Sequence, residues 1–370
     1  MNSVSSTSEP DSRPSDFFAL TAGEFRERVR SLGLPAYRGE QVLAWVYKRF
    51  VADFDEMSDL SKPDRSALGA AFRFRLPSVS RVSRSSDRLT TKLLLALDDG
   101  AAVEGVVMHH PRRRPTLCVS VQVGCAQGCL FCATGSMGLS RNMTAAEILA
   151  EIWLLRRHMI REDKVDAVPT LVFMGMGEPL DNEEGFFRAL AMLNSQEGFG
   201  LGSRKITVST VGGPDRIRRL AELGLQLQLA VSLHAATDSL RGRLVPGQKG
   251  VAVAELVDAA RYYFQKTGRE VTFEYVVIQR VNDSEEDATR LAGLLRGFPG
   301  KVNLIPFNPV SHNAMKPPEP EALARFRELL TRASIKVTIR HSQGRDINAA
   351  CGQLAVRERQ ASTPQVMRYA

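Results

Sequence analysis

The sequence predicts an α/β protein: an open, partial barrel of about six βα units, preceded by a small domain of helices and a hairpin. Three observations predict it. From residue 116 onward, strand-like runs alternate with amphipathic helical stretches, the pattern of a parallel sheet with right-handed crossovers. A complete eight-unit barrel takes about 250 residues, and six units already use most of that length here, so the barrel stays open. Before residue 110 the pattern differs: two helical stretches, then two extended runs around a turn.

The elements follow in order. Residues 1–17 begin MNSVSSTSEPDSRPS, rich in Ser, Pro and acid and without an apolar core, which reads as a disordered tail and not as a signal peptide. TAGE at 21–24 is a capping box, with Thr21 as N-cap and Glu24 three residues on, and Phe25, Val29 and Leu32 then recur at helical spacing. Pro35 breaks that helix, and EQVLAWVYKRF at 40–50 starts another, carrying Trp45, Tyr47 and Phe50 as core rather than as base-stacking groups. RLTTKLLLALDDGAAVEGVVMHH, 88–110, holds two extended runs around Asp98-Asp99-Gly100, a hairpin signal. Residues 18–110 are therefore assigned to an N-terminal accessory domain, 111–350 to the barrel, and 351–370 to a C-terminal segment.

Barrel strands are expected at 116–123, 170–176, 205–211, 227–234, 270–278, 301–307 and 336–341, with the clearest helices at 144–159 and 254–265. Polar and glycine-rich residues gather at the carboxyl ends of these runs. Cys125 follows the first, GMGEP (175–179) the second, Ser209 lies in the third, Ser232 and His234 end the fourth, and Asn308 follows the sixth. That rim is where α/β barrels assemble active sites.

Composition narrows the partner. A formal net charge of +8 favours an anionic one, nucleic acid above all. No run of about 18 apolar residues is present, so no membrane span is expected, and the five cysteines should work as reduced thiols in a cytoplasmic protein.

GCAQGCLFCATG at 124–135 packs Cys125, Cys129 and Cys132 into a C-x-x-x-C-x-x-C loop. Three thiolates can wrap a cubane iron–sulfur cluster and leave one iron open to an outside ligand with a chelating amine and carboxylate. The spacing resembles that of the radical S-adenosylmethionine (SAM) enzymes, in which SAM takes the open place. The competing reading is a zinc site completed by Cys118 or a distant His, although no second C-x-x-C pair follows. In GMGEP the glycines allow close approach of backbone to a ligand, and Glu178 suits an ammonium group. Taken singly, Cys118 and Cys351 read as small buried hydrophobes, or as free thiols able to accept a methyl group near a SAM site.

Residues from about 18 to 355 resemble the RlmN/Cfr family of radical SAM RNA adenine methyltransferases. The resemblance rests on CVSVQVGCAQGCLFCATG, RNMTAAEI, FMGMGEPLDN, ITVSTVG, LAVSLHA, FEYVVIQRVNDS, KVNLIPFNPV and DINAACGQL as they stand here. It implies a [4Fe–4S] cluster on Cys125, Cys129 and Cys132, and SAM contacts from Gly177, Glu178, Ser209, Ser232, Leu233, His234 and Asn308. It implies two SAM molecules per turnover. One methylates Cys351; the other, at the open iron, supplies a radical that takes hydrogen from the S-methyl group. The carbon so formed adds to adenine, and Cys118 resolves the protein–RNA adduct by forming a disulfide with Cys351. Glu104, in VEGV, would be the proton acceptor; without the resemblance it reads as a solvated hairpin glutamate.

The nearer likeness is to the RlmN branch, which implies methylation at carbon 2 of adenosine in 23S rRNA and, in many bacteria, beside the anticodon in tRNA. Cfr-type methylation at carbon 8 is the alternative within the family, and a zinc-containing, non-catalytic RNA-binding protein the alternative outside it. An external, flavodoxin-like electron donor and a monomeric state are also implied. Two departures from the family pattern stand out: Gln343-Gly344 where Arg-Gly is usual, and Ala126-Gln127 in the cluster loop. Arg112 to Arg114, Arg156-Arg157 and the Arg216, Arg218, Arg219 group are candidate phosphate contacts or ordinary solvated faces.

Overall fold

The computed structural model describes residues 14–340 and 342–356. The chain divides into two compact units, residues 1–75 and 76–370.

The first unit comprises β1 (Ser15–Asp16), α1 (Ala22–Ser31), α2 (Ala36–Lys48), α3 (Lys62–Ala71) and β2 (Phe72–Arg73), with β1 and β2 paired in parallel. The capping box forms: Glu24 N donates to Thr21 Oγ1 at 3.2 Å and Thr21 N to Glu24 Oε2 at 2.6 Å. Pro35 stands as the N-cap of α2, which starts four residues ahead of the expected stretch. Phe17, Phe18, Phe25, Tyr47, Phe50 and Phe72 are buried together in the core. Trp45 is only half-buried, its Nε1 donating to Asp59 and Arg49 lying over its ring, and Leu32 is exposed. The expected tail lies outside the described residues as far as Arg13. Its last residues are ordered, because β1 pairs with β2 and Phe17 is buried.

The second unit opens with β3 (Ser78–Arg84), β4 (Thr90–Ala96), β5 (Ala102–His110) and β6 (Arg113–Cys118). Then come β7 (Gln122–Gly124), β8 (Leu139–Asn142), α4 (Ala145–Arg161), β9 (Thr170–Phe173), α5 (Glu183–Asn194), β10 (Ile206–Thr210), α6 (Pro214–Glu222) and β11 (Gln228–Ser232). After them lie α7 (Asp238–Leu244), α8 (Val253–Thr267), β12 (Val271–Val277), α9 (Glu285–Leu294), β13 (Gly300–Pro306), α10 (Pro320–Arg332) and β14 (Lys336–Ile339).

One ten-stranded sheet runs β14-β13-β12-β11-β10-β9-β6-β5-β4-β3. From β6 through β14 every neighbour is parallel, with at least one helix in each of six crossovers. This is the open barrel the alternation predicts; one face of its strands is apolar and buried, as at Leu171, Phe173, Ile206, Val208, Val302 and Leu304, and the residues between them are mostly polar and partly exposed.

Two boundaries differ from the sequence expectation. The hairpin expected to close the accessory domain near 110 extends the barrel sheet instead, since β5 pairs antiparallel with β6 and places Val106 opposite Cys118. Its edge hydrogen bonds are satisfied by the barrel, and the division falls between Arg75 and Leu76. The run 116–123 is also two strands: β6 stops at Cys118, and after three residues β7 pairs only with β8. That break lets the cysteine loop leave the sheet.

Candidate active site

The cysteine loop is shaped by backbone. Gly124 has φ +80°, and a Cβ there would collide with the Gly138 carbonyl oxygen. Cys125 N donates to that same oxygen at 2.8 Å, and Cys132 N donates to Cys129 O at 3.1 Å. All three cysteines line one cavity together with Gly177, Glu178, Ser209, Ser232, His234, Asn308 and Cys351. Burial pushes the Cys125 thiol up to about 12, and the Cys129 and Cys132 thiols up as well. Mutual repulsion adds to this, because each of the three would feel a neighbouring thiolate as a like charge.

Three thiols gathered around one cavity, Cys125 and Cys129 buried and Cys132 partly so, are stabilised as thiolates only by a positive centre, which is what an iron–sulfur cluster offers. Among the described residues, no group of three or more His, Cys, Asp or Glu side chains is already gathered as a metal site, the three loop cysteines included. Three cysteines of one C-x-x-x-C-x-x-C loop on one cavity are the donor set a cluster with one open iron would take.

GMGEP packs against the chain just after β6. Gly177 has φ +98°, and a Cβ on it would come within 2.5 Å of Gln122 Cβ. The next residue is fixed by four contacts: Glu178 N donates to Gln122 Oε1 at 2.8 Å, while the Glu178 carboxylate accepts from Val211 N at 2.9 Å and Leu180 N at 3.1 Å, and lies beside Thr210. Burial still wins over these bonds and raises Glu178 to about 7. A cation arriving in the cavity would relieve that cost.

Ser209 and Ser232 hydroxyls stand 3.4 Å apart on adjacent strands β10 and β11. Beyond Ser232 the backbone turns at His234, which takes φ +60° and is held there by Asn282 Nδ2 donating to its carbonyl at 2.8 Å. His234 Nδ1 accepts from Val276 N at 3.1 Å, so its Nε2 carries the proton. Burial lowers its pKa to about 3 and keeps the ring neutral, edge-on to Phe131 at 4.5 Å. Asn308 donates from Nδ2 to Ser342 Oγ at 2.9 Å and to Cys351 O at 3.0 Å, leaving its buried Oδ1 without a partner among the described residues. A buried acceptor without a donor suits a ligand amine.

Cys351 also lines a second cavity, of about 770 Å³, whose wall includes Cys118. The two cysteines, 233 positions apart in sequence, thus meet one space. Arg340 and Glu274 line both cavities. The Arg340 guanidinium is pushed up chiefly by the neighbouring Cys351 sulfur, with Glu274 and Cys118 adding to it against the cost of burial. Burial pushes Cys118 up to about 12, the charge of Cys351 adds to that, and Arg340 opposes it.

Two expected site residues stand elsewhere. The Leu233 side chain is fully buried in the core and does not line the cofactor cavity, which Ser232 and His234 do. Glu104 is buried rather than solvated, and it lines a third cavity of about 360 Å³. There it pairs with Lys92 Nζ at 2.9 Å and accepts from Ala355 N at 3.0 Å.

The basic stretches separate as well. Arg156 and Arg157 are buried, the former bonded to Asp166 and the latter lying over Trp153. Arg216, Arg218 and Arg219 pair with Asp181, Asp215 and Glu183. Arg113 faces the second cavity, where Arg204, Lys205 and Lys301 join it. Glu274 lies in FEYVVIQRVNDS without having been given a role, and Arg340 carries no motif, although it follows the last strand and the same rim argument reaches it. Gln127, one of the departures, lines the cofactor cavity, bonds Asp181 at 2.6 Å and accepts from Gln248 at 2.9 Å. Gly344, in the other, has φ +67°.

Comparison with known proteins bears on this arrangement. Residues 119–292 match the Radical SAM superfamily, and residues 15–73 match the Ribosomal RNA large subunit methyltransferase N-terminal domain. The chain is 41% identical over 339 residues to the "Probable dual-specificity RNA methyltransferase RlmN" of Dictyoglomus turgidum, covering 92% of this chain and 96% of that one. It is 42% identical over 349 residues to the "Ribosomal RNA large subunit methyltransferase N" of Nitrosopumilus maritimus, covering 92% and 98%. A radical SAM methyltransferase crystal structure from Sphaerobacter thermophilus superimposes with a TM-score of 0.88 at 44% identity, over 92% of this chain and 99% of that one. Cluster-loop cysteines, clamped GMGEP carboxylate and two-domain match agree: the chain belongs to the RlmN family of radical SAM RNA methyltransferases, a membership that implies a [4Fe–4S] cluster and SAM.

Proposed function

We propose that the chain methylates carbon 2 of an adenosine in 23S rRNA, and of the adenosine beside the anticodon in tRNA, by way of a methyl group carried on Cys351. The observation that supports this most is the shared cysteine. Cys351 borders the cofactor cavity on one side and, on the other, a polar cavity that contains the second isolated thiol, Cys118.

Cys125, Cys129 and Cys132 would hold the cluster, and Gly177, Glu178, Ser209, Ser232, His234 and Asn308 would hold SAM. When bound, these groups supply the methyl group and the one-electron chemistry that an electron-poor adenine carbon demands. Glu178 then serves as the anion for the amino group, and Asn308 Oδ1 as its second acceptor, while neutral His234 offers an N–H donor. Arg340, beside both isolated thiols, opposes the rise that burial imposes on Cys118. Cys351 accepts the methyl group on sulfur and later holds the modified adenine covalently. The Cys118 thiolate attacks the Cys351 sulfur and the sulfur–carbon bond breaks; its electron pair goes to the carbon on the base, which takes up a proton to become the methyl group, and two electrons and two protons from outside restore both thiols from the disulfide. Glu104 accepts a proton in this scheme only after the backbone at Ala355 withdraws from it.

The second cavity suits a flipped adenosine. Its volume falls in the range of small-ligand pockets. Arg113, Arg204 and Lys205 suit the flanking phosphates, and Glu274 is its one lining carboxylate.

The test is anaerobic incubation of iron-reconstituted chain with SAM, a reductant, and rRNA or tRNA that lacks the modification, followed by nucleoside mass spectrometry. 2-Methyladenosine is expected from both RNAs. 8-Methyladenosine would move the chain to Cfr-type chemistry, and a colourless, zinc-bearing protein without turnover would overturn the reading.

A further inference from the structure

The iron–sulfur reading requires electrons from outside, and the surface around the cysteine loop has features that the RNA chemistry does not use. We infer that this face is the docking site of the electron-donor protein, and that the donor is an acidic one-electron carrier. The inference rests on the proposed cluster.

Leu130 lies between two ligand cysteines and is 42% exposed, although Cys129 and Phe131 on either side are buried. Met137 and Leu139, on the same loop, are 40% and 43% exposed. Single exposed apolar residues need no explanation, but three within ten positions do. The fold brings two more segments to this loop. Leu130 N donates to Leu244 O at 3.0 Å, and Gly247 N donates to Gln127 O at 2.9 Å. From the other side, the His312 and Asn313 side chains bond the Leu130 carbonyl.

Charge makes the occupant specific. Residues 125–139, 239–251 and 309–316 contain no Asp or Glu. Arg243 and Lys249 in the second segment and Lys316 in the third are exposed, and no described carboxylate pairs with them. An apolar centre with a cationic, anion-free surround is the complement of an acidic protein in a small, transient interface. Electron transfer weakens steeply with distance, so a donor gains by docking where one peptide bond separates the surface from a ligand cysteine. RNA would also answer to positive charge. Against it, the three segments expose no Phe, Tyr or Trp for base stacking, and they expose aliphatic side chains that phosphates do not reward.

The experiment uses the full chain with its cluster, reduced either by dithionite or by a pre-reduced flavodoxin-type protein, and follows the loss of absorbance near 400 nm by stopped flow. Leu130→Asp and the double variant Arg243→Glu/Lys249→Glu are expected to slow reduction by the protein donor on the order of tenfold, and to leave dithionite reduction unchanged. Met137→Asp, off the ligand segment, repeats the test should Leu130→Asp lose its cluster. Donor rates unaffected in all of these variants would overturn the inference. Unchanged donor rates with weakened tRNA binding would overturn it in favour of RNA. A wild-type chain that takes up no iron and sulfide would overturn the proposed function itself, and the docking site with it.

Discussion

The two cavities that meet at Cys351 are built in different ways. The cofactor cavity is made by backbone: a cysteine loop folded on Gly138, a glycine pressed on Gln122, a carboxylate held by two amides, and a histidine at φ +60°. The second cavity is lined largely by side chains that point inward from strands β6, β9, β10, β12, β13 and β14, among them Thr116, Thr170, Thr207, Thr272, Asn303 and Thr338. The first is preorganised for one small cationic ligand. The second is roomy and basic, with polar and apolar side chains mixed in its wall. Rigid backbone chemistry leaves short motifs in a sequence, and alternating strand side chains leave none.

The sharpest way to break this comparison is at the shared residue. Cys351→Ala should abolish methyl transfer to RNA while iron content and SAM binding stay within about twofold of wild type; both are measurable by metal analysis and equilibrium dialysis. Cys118→Ala should instead accumulate a protein–RNA adduct that survives a denaturing gel. Normal methylation by Cys351→Ala would remove the methyl-carrying role and with it the reason for a shared wall.

A smaller effect tests the cofactor cavity alone. Glu178 is raised from 4.5 to about 7 by burial, so the ligand-free native state holds its proton more tightly than the unfolded chain. Its contribution to stability is complete below about pH 4.5 and is lost as pH climbs to about 7, a change of about 3 kcal/mol. Binding of SAM through its ammonium needs the ionised form. SAM affinity should therefore rise about tenfold per pH unit up to about pH 7 and then level off. Glu178→Gln should bind weakly with no such slope, and a slope that survives in the variant would assign it to another group.

The smallest effect tests the second cavity. Arg113→Glu, Arg204→Glu or Lys205→Glu should each weaken RNA binding by about 1 kcal/mol and reduce the salt dependence by about one unit of slope. SAM affinity should not change. A parallel loss of SAM binding would show that the two cavities are not separable.

Much of the cofactor site was legible because its chemistry sits in contiguous motifs. The cysteine loop, GMGEP, Ser209, Ser232, His234 and Asn308 all occur at strand ends, and the barrel brings them to one cavity. Within SLH the Leu233 side chain is buried in the core whereas Ser232 and His234 line the cavity, so a contact from Leu233 there is one of backbone. Arg340 was passed over because a single arginine in KVTIRH carries no spacing signal. Arg156 and Arg157 looked like surface charge, yet α4 is buried around most of its circumference.

The sequence by itself determined the βα alternation, the open barrel, the capped helices and the identity of the ligand loop, since each depends on local periodicity or on residues a few positions apart. Tertiary structure alone decided what depends on contacts across long separations. It joined the hairpin to the barrel by pairing Val106 with Cys118, set Cys118 and Cys351 on one cavity, and placed Arg340 beside both. It also turned Glu104 from a hairpin glutamate into a buried partner of Lys92 and Ala355. Burial and electrostatic neighbours are sums over the whole fold, and no local pattern encodes them.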